Sequence, residues 1–202
     1  MKHSNDLKRL KPNPSPLGTL ARPAVVGLAL LGSLACSTEP AGPVGPKPNI
    51  LLIAVDTLRA DHLSAFGYER NTTPNIDKLA EKSLAFRRAY APSPWTKPSV
   101  ASIHTGLYPT AHTVERPPSA LPSEVVTLAE ILKGGGWRTA SVTSNKLLDE
   151  RYGFGQGFDS YDSGEAQGHR YVSTPGITTK AKQHLADFAT TDEPFFLSLL
   201  YF

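Results

Sequence analysis

Cysteine is nearly absent from this chain of 202 residues, with Cys36 standing alone. No intrachain disulfide can form, so the fold has to rest on its apolar core. Spans of membrane-crossing length are also lacking, since the apolar run from Ala24 to Ala35 has only twelve residues. Histidines in metal-site spacing are missing as well. His62 and His112 flank motifs, His104 falls on an expected helix and His184 on a helix surface, with no His-x₃-His or His-Glu pair of the zinc type. All four are expected to be structural or solvent-facing. Nor is there a real excess of positive charge. The formal net of +3 includes five Lys or Arg and one Asp in residues 1–35, and the remainder holds 16 basic against 17 acidic residues. That balance gives no electrostatic case for a nucleic-acid partner. What is present is ordinary for a globular protein, 40% hydrophobic and 19% charged, at a length that fits one domain or part of one.

The amino-terminal region is a separate matter. Lys2, Lys8, Arg9, Lys11 and Arg22 make a basic lead ahead of the Ala24–Ala35 run, the arrangement of an export signal. Cys36 directly follows Ser33-Leu34-Ala35. This resembles the lipobox of bacterial lipoproteins, although that pattern prefers Leu where Ser33 stands; the alternative is a small-residue cleavage site with an incidental Cys. The expectation is a lipoprotein-type signal peptide over 1–35 and lipid attachment at Cys36. The protein would then be extracytoplasmic and anchored to a bacterial membrane. Residues 36–48, with Pro40, Gly42, Pro43, Gly45, Pro46 and Pro48, cannot bury apolar surface and read as an extended tether.

Residues 49–202 form the globular part. Asn49 to Val55 is a continuous apolar run, as in a central parallel strand covered on both faces. Thr73 and Pro74 open a helix whose Ile76, Leu79 and Ala80 share a face. Ala111 to Pro122 reads as loop. Thr127 and Glu130 form a capping box, and Gly134-Gly135-Gly136 ends that helix. Trp137 to Thr143 is the next strand. The glycines from Gly153 to Gly157 do not make a dinucleotide fingerprint, because no strand precedes them and no helix follows. Ile177, Ala181, Leu185 and Phe188 mark a helix face, and Phe195 to Phe202 a buried strand. The fold class is therefore α/β, a mostly parallel sheet flanked by helices.

The chemistry concentrates in Ala91 to Gly106, Ala-Pro-Ser-Pro-Trp-Thr-Lys-Pro-Ser-Val-Ala-Ser-Ile-His-Thr-Gly. Pro98 suits a first helical turn and Gly106 a helix end. Thr96 then sits just before a helix N-terminus, a place that favours an anion or an alkoxide. Thr is unreactive at its free pKa and needs a metal or a base to become a nucleophile. Asp56 ends the Asn49–Val55 strand, at the sheet edge where open α/β folds place ligands. The plain alternative makes Thr96 a helix N-cap and Asp56 the start of a turn.

Asp56-Thr57-Leu58-Arg59-Ala60-Asp61, then Thr73-Pro74-Asn75-Ile76-Asp77, then Ala91 to Pro109 resemble, in that order, the N-terminal part of the sulfatase family of the alkaline-phosphatase superfamily. The similarity runs from about Pro48 to Tyr161, and Gly153 to Asp159 with Tyr161 resembles the family's G-F-D-x-Y loop. The resemblance implies a divalent cation (Ca, Mn, Zn or Mg) held by Asp56 and Thr96, and an anionic phosphate or sulfate ester as substrate. It implies that Asn145 and Lys146 lie in a region that binds substrate. Lys97 could steer the anionic ester, or be an ordinary solvated surface lysine. Further ligands, in Asp-Pro-His and Asp-His segments, would fall beyond residue 202, so the chain is expected to be a C-terminally incomplete, inactive fragment of a longer enzyme. Two departures redirect the chemistry. Thr96 stands where sulfatases carry the Cys or Ser that becomes formylglycine, and Val100 stands where they carry an Arg. Thr57 also replaces a usual second Asp. The reading is a metal-dependent hydrolase or transferase with a Thr96 nucleophile, like the phospho-transferring relatives. Its rivals are a sulfuric ester hydrolase and an inactive, surface-tethered binding protein on the same fold.

Overall fold

The structure is a computed structural model that describes residues 45–166 and 173–202. The export segment, Cys36 and tether residues 36–44 lie outside the described residues. At the tether's end, Lys47 Nζ bonds to the Gly135 carbonyl and stands 4.9 Å from the Trp137 ring centre. Trp137 Nε1 donates to the Pro48 carbonyl at 2.9 Å.

The apolar runs form a sheet of β1 (Ile50–Val55), β2 (Arg138–Thr143), β3 (Ser160–Asp162) and β4 (Phe195–Tyr201). Its order is β1-β4-β2-β3, and every pairing is parallel. β4 is therefore interior, with Leu197 and Leu199 facing one layer and Leu200 the other. On the first face α5 (Thr174–Phe188) packs Ile177, Ala181 and Phe188 against Ala140, Val142, Leu197 and Leu199. The other face receives α2 (Thr96–Thr105), whose Val100 and Ala101 join Leu200, Val114, Leu121, Leu148 and Phe154. Two helical layers around one sheet are what a parallel strand set requires, because both of its faces must be covered.

The remaining helices are α1 (Pro74–Ala80), α3 (Pro109–His112) and α4 (Leu128–Gly134). α4 begins with the expected capping box, Thr127 Oγ1 accepting from Glu130 N at 3.1 Å while Glu130 Oε2 accepts from Thr127 N at 2.8 Å.

Three expectations change. Among the described residues β1 pairs on one side only, with β4, and its Leu51, Ile53 and Val55 are 47%, 53% and 45% exposed, because α5 packs against β4 and β2. The α1 face is likewise open, with Ile76 and Leu79 exposed. Thr73 does not cap α1 through its side chain, donating instead to Asp77 Oδ1 at 3.0 Å. Third, β3 pairs with β2 inside a stretch that reads as loop, and α3 takes the start of the Ala111–Pro122 segment. Among the described residues no helix is long and apolar enough to cross a membrane.

Candidate active site

The carboxyl edge of the sheet gathers residues that are far apart in sequence. Asp56 follows β1, and its N–H donates to the Tyr201 carbonyl of neighbouring β4 at 2.8 Å. Asn145 follows β2, on the other side of β4. Thr96 enters from the α2 layer. Its Oγ1 donates to Asp56 Oδ2 at 2.9 Å, and Asn145 Nδ2 donates to the same oxygen at 3.2 Å. Thr57, just beyond Asp56, has φ +61. A β-branched residue in the left-handed region is strained by about 1–2 kcal/mol, and such strain gathers at functional sites.

Thr96 is the first residue of α2, not its cap. Trp95 holds the cap position and makes no side-chain cap bond. The N-cap alternative for Thr96 is thereby excluded, since its hydroxyl is turned to Asp56 instead of to a backbone N–H. The helix start is left without a side-chain acceptor, beside a cleft of about 560 Å³. Asp56, Thr57, Ser93, Trp95, Thr96 and Ser99 supply the cleft's polar lining, and Val100 and Ile103 part of its apolar wall. An uncapped N-terminus opening on a cleft is a ready anion site.

The two lysines fare differently. Lys97 is not a solvated surface lysine: it is fully buried, its Nζ has no hydrogen-bond partner and lies 3.5 Å from the Tyr152 ring centre. Burial pushes its pKa down, and the nearby Arg151 guanidinium adds to that. Lys97 is not among the residues that line the Asp56–Thr96 cleft. Lys146 is exposed, in the 3-10 turn Lys146–Leu148 after Asn145.

Among the described residues His62 and His184 are half-exposed, and His104 and His112 are structural. His104 is buried between Phe154 and Phe158, where burial pushes its pKa down to about 4. His112 is fully buried, and its Nδ1 accepts from Val114 N at 3.1 Å. Its proton therefore sits on Nε2, which faces Ser102 Oγ at 3.0 Å. A ring that must donate to the serine cannot act as its base, so this Ser–His pair is not a nucleophilic dyad. Among the described residues no three His, Cys, Asp or Glu are grouped to hold a metal. The hard oxygens of Asp56 and Thr96 fit a divalent cation chemically, as two ligands of a larger set.

Sequence reading placed Asp56 and Thr96 in one site. It missed Thr57's backbone, and Ser93 and Ser99, which lie within or beside the quoted motifs but carry no signal of their own.

An open parallel α/β sheet with an acid and a hydroxyl at its carboxyl edge defines a broad class of ligand-binding folds. Comparison narrows it. The chain matches the Sulfatase family model over residues 48–201, and it belongs to that family. It is 33% identical to steryl-sulfatase of Mus musculus over 142 residues, which is 65% of this chain and 22% of that protein. It is 40% identical to arylsulfatase A of Bos taurus over 121 residues, covering 55% of this chain and 22% of that protein. A structure solved with its substrate D-glucosamine-2-N,6-O-disulfate superposes with a TM-score of 0.65 at 26% identity, covering 76% of this chain and 33% of that one. The chain thus spans about a fifth of the length of either of these two relatives.

Proposed function

We propose that the protein to which this chain belongs is an exported, lipid-anchored, metal-dependent hydrolase or transferase that attacks a phosphate ester through Thr96. The observation that carries the reading is the Thr96 Oγ1–Asp56 Oδ2 contact of 2.9 Å at the uncapped start of α2, on the wall of the cleft. Asp56 and Thr96 would hold a divalent cation together with ligands from further segments of the protein. When bound, such a cation lowers the pKa of the Thr96 hydroxyl and offsets charge on the ester oxygens.

The protein's own groups do the rest. Asp56 Oδ2 accepts the hydrogen bond of the Thr96 hydroxyl, which leaves the lone pairs of Oγ1 free for the ester. Thr96 Oγ passes its proton to Asp56 Oδ2 and forms a bond to phosphorus in line with the leaving alkoxide, whose bond to phosphorus breaks and which takes up a proton from solvent. Water or an acceptor alcohol displaces Thr96 in a second step and restores its hydroxyl. The start of α2, where Thr96 and Lys97 carry backbone N–H groups and Pro98 none, brings the positive end of the helix dipole to the side of the ester.

Sulfate-ester hydrolysis is the second reading, favoured by the names of the relatives. Thr96 weighs against it, because Thr lacks the aldehyde hydrate through which a sulfated residue can be cleared. Val100 also puts an apolar side chain on the cleft wall where sulfatases have a cation. Paired aryl phosphate and aryl sulfate substrates decide between them. The full-length protein should turn over a phosphomonoester or phosphodiester with the higher kcat/KM; a higher value for the sulfate would overturn the phosphate preference.

A further inference from the structure

We infer that Asn145 is a positioning residue for Asp56, setting which carboxylate oxygen is left to bind the cation. Asn145 sits in the turn after β2, and its Oδ1 accepts from Leu147 N at 3.0 Å. That bond fixes the amide orientation, because an acceptor oxygen, not the NH₂ group, must face the Leu147 N–H. The NH₂ group is therefore held toward Asp56, where it meets Oδ2 at 3.2 Å. The turn is anchored in its own right, with Asn145 N donating to Thr143 Oγ1 at 3.3 Å and Leu148 N to the Asn145 carbonyl at 3.0 Å.

Asp56 Oδ2 thus takes two donors, Thr96 Oγ1 and Asn145 Nδ2, while neither bonds to Oδ1. A carboxylate whose one oxygen is doubly engaged offers the other as its metal-binding atom. Hydrogen-bonded partners of this kind orient ligating carboxylates, and their loss typically weakens metal binding or activity by about 10–100-fold. The arrangement has a second consequence. When Thr96 gives up its proton, Asn145 keeps one hydrogen bond on Oδ2, so Asp56 does not swing as the reaction proceeds. This differs from a direct role of Asn145 in gripping the substrate.

The inference rests on the metal-dependent reading, yet its test does not need turnover. Asn145→Ser keeps a short side-chain oxygen for the Leu147 N–H but cannot reach Asp56; Asn145→Ala removes both contacts. Calorimetric titration of the full-length resting protein with Mn²⁺, Zn²⁺, Mg²⁺ and Ca²⁺ should show about 10-fold or weaker binding in Asn145→Ser. Thermal unfolding without added metal should stay close to that of the parent, and kcat should fall while KM barely moves. Metal affinity equal to that of the parent, with a raised KM, would overturn the inference and make Asn145 a substrate contact. Parent protein that binds none of the four ions would overturn it too. If instead Thr96→Ala proves fully active while Asn145→Ser still binds metal weakly, the nucleophile reading fails and the positioning role stands.

Discussion

Thr96→Ala should lower kcat/KM of the full-length protein for an activated phosphate ester by about 10³-fold or more. A fall of that size is about 4 kcal/mol of transition-state stabilisation, more than a single lost hydrogen bond supplies. It reflects three losses from one oxygen. The nucleophile disappears, the proposed cation loses a ligand, and Asp56 Oδ2 loses the donor it holds at 2.9 Å. The fold should tolerate the change, since alanine is a good helix former and Thr96 makes no capping bond that α2 depends on. Thr96→Ser keeps the hydroxyl and should retain most activity. Steady-state kinetics on the two variants, with circular dichroism to check folding, tests this directly. Near-full activity in Thr96→Ala would remove the nucleophile from the account.

Asp56→Asn should be nearly as damaging, about 10²–10³-fold, for a different reason. The amide keeps the size of the carboxylate but removes its negative charge, the attraction that would draw a divalent ion to this edge of the sheet. With its oxygen at the Oδ2 place the amide can still accept from Thr96 Oγ1 and Asn145 Nδ2, which leaves an NH₂ group, a donor that cannot ligate a cation, where Oδ1 stood. Chelation of the parent protein should abolish turnover and added divalent ion should restore it, whereas Asp56→Asn should need far more ion for partial recovery. Turnover that survives exhaustive chelation would contradict the metal-dependent reading.

Much of this site is legible in the sequence because its two main parts are marked by local rules. An apolar run that stops at Asp56 declares a strand end, and a Pro98–Gly106 frame declares a helix; the carboxyl-edge rule for open sheets then brings them together. The capping box at Thr127 and the face of α5 follow from equally local patterns. What escapes is set by distant partners. The apolar run of β1 announces a strand but not its neighbour, which is β4, about 140 residues later, inserted between it and β2. β3 has three residues in a glycine-rich stretch, too few for a period to show, and exists through its pairing to β2. Lys97 reads either as a side chain that steers the anionic ester or as a solvated surface lysine, and both readings leave it in water. Its burial depends on Tyr152, which no local pattern links to it. Asn145 could be linked to the site by family likeness, whereas its bond to Asp56 needed the sheet order to be known.

The central claim is that a covalent Thr96 intermediate divides the reaction into two in-line displacements. The stereochemical course at phosphorus tests it most directly, because it does not depend on the intermediate accumulating. The full-length protein would transfer an isotopically chiral phosphoryl group from an aryl ester to an acceptor alcohol, and the configuration of the product would be determined. Two displacements, each inverting the centre, give net retention, which is the result the account requires. Net inversion would mean that water or the acceptor attacks the ester directly, and Thr96 would then be no more than a ligand beside Asp56.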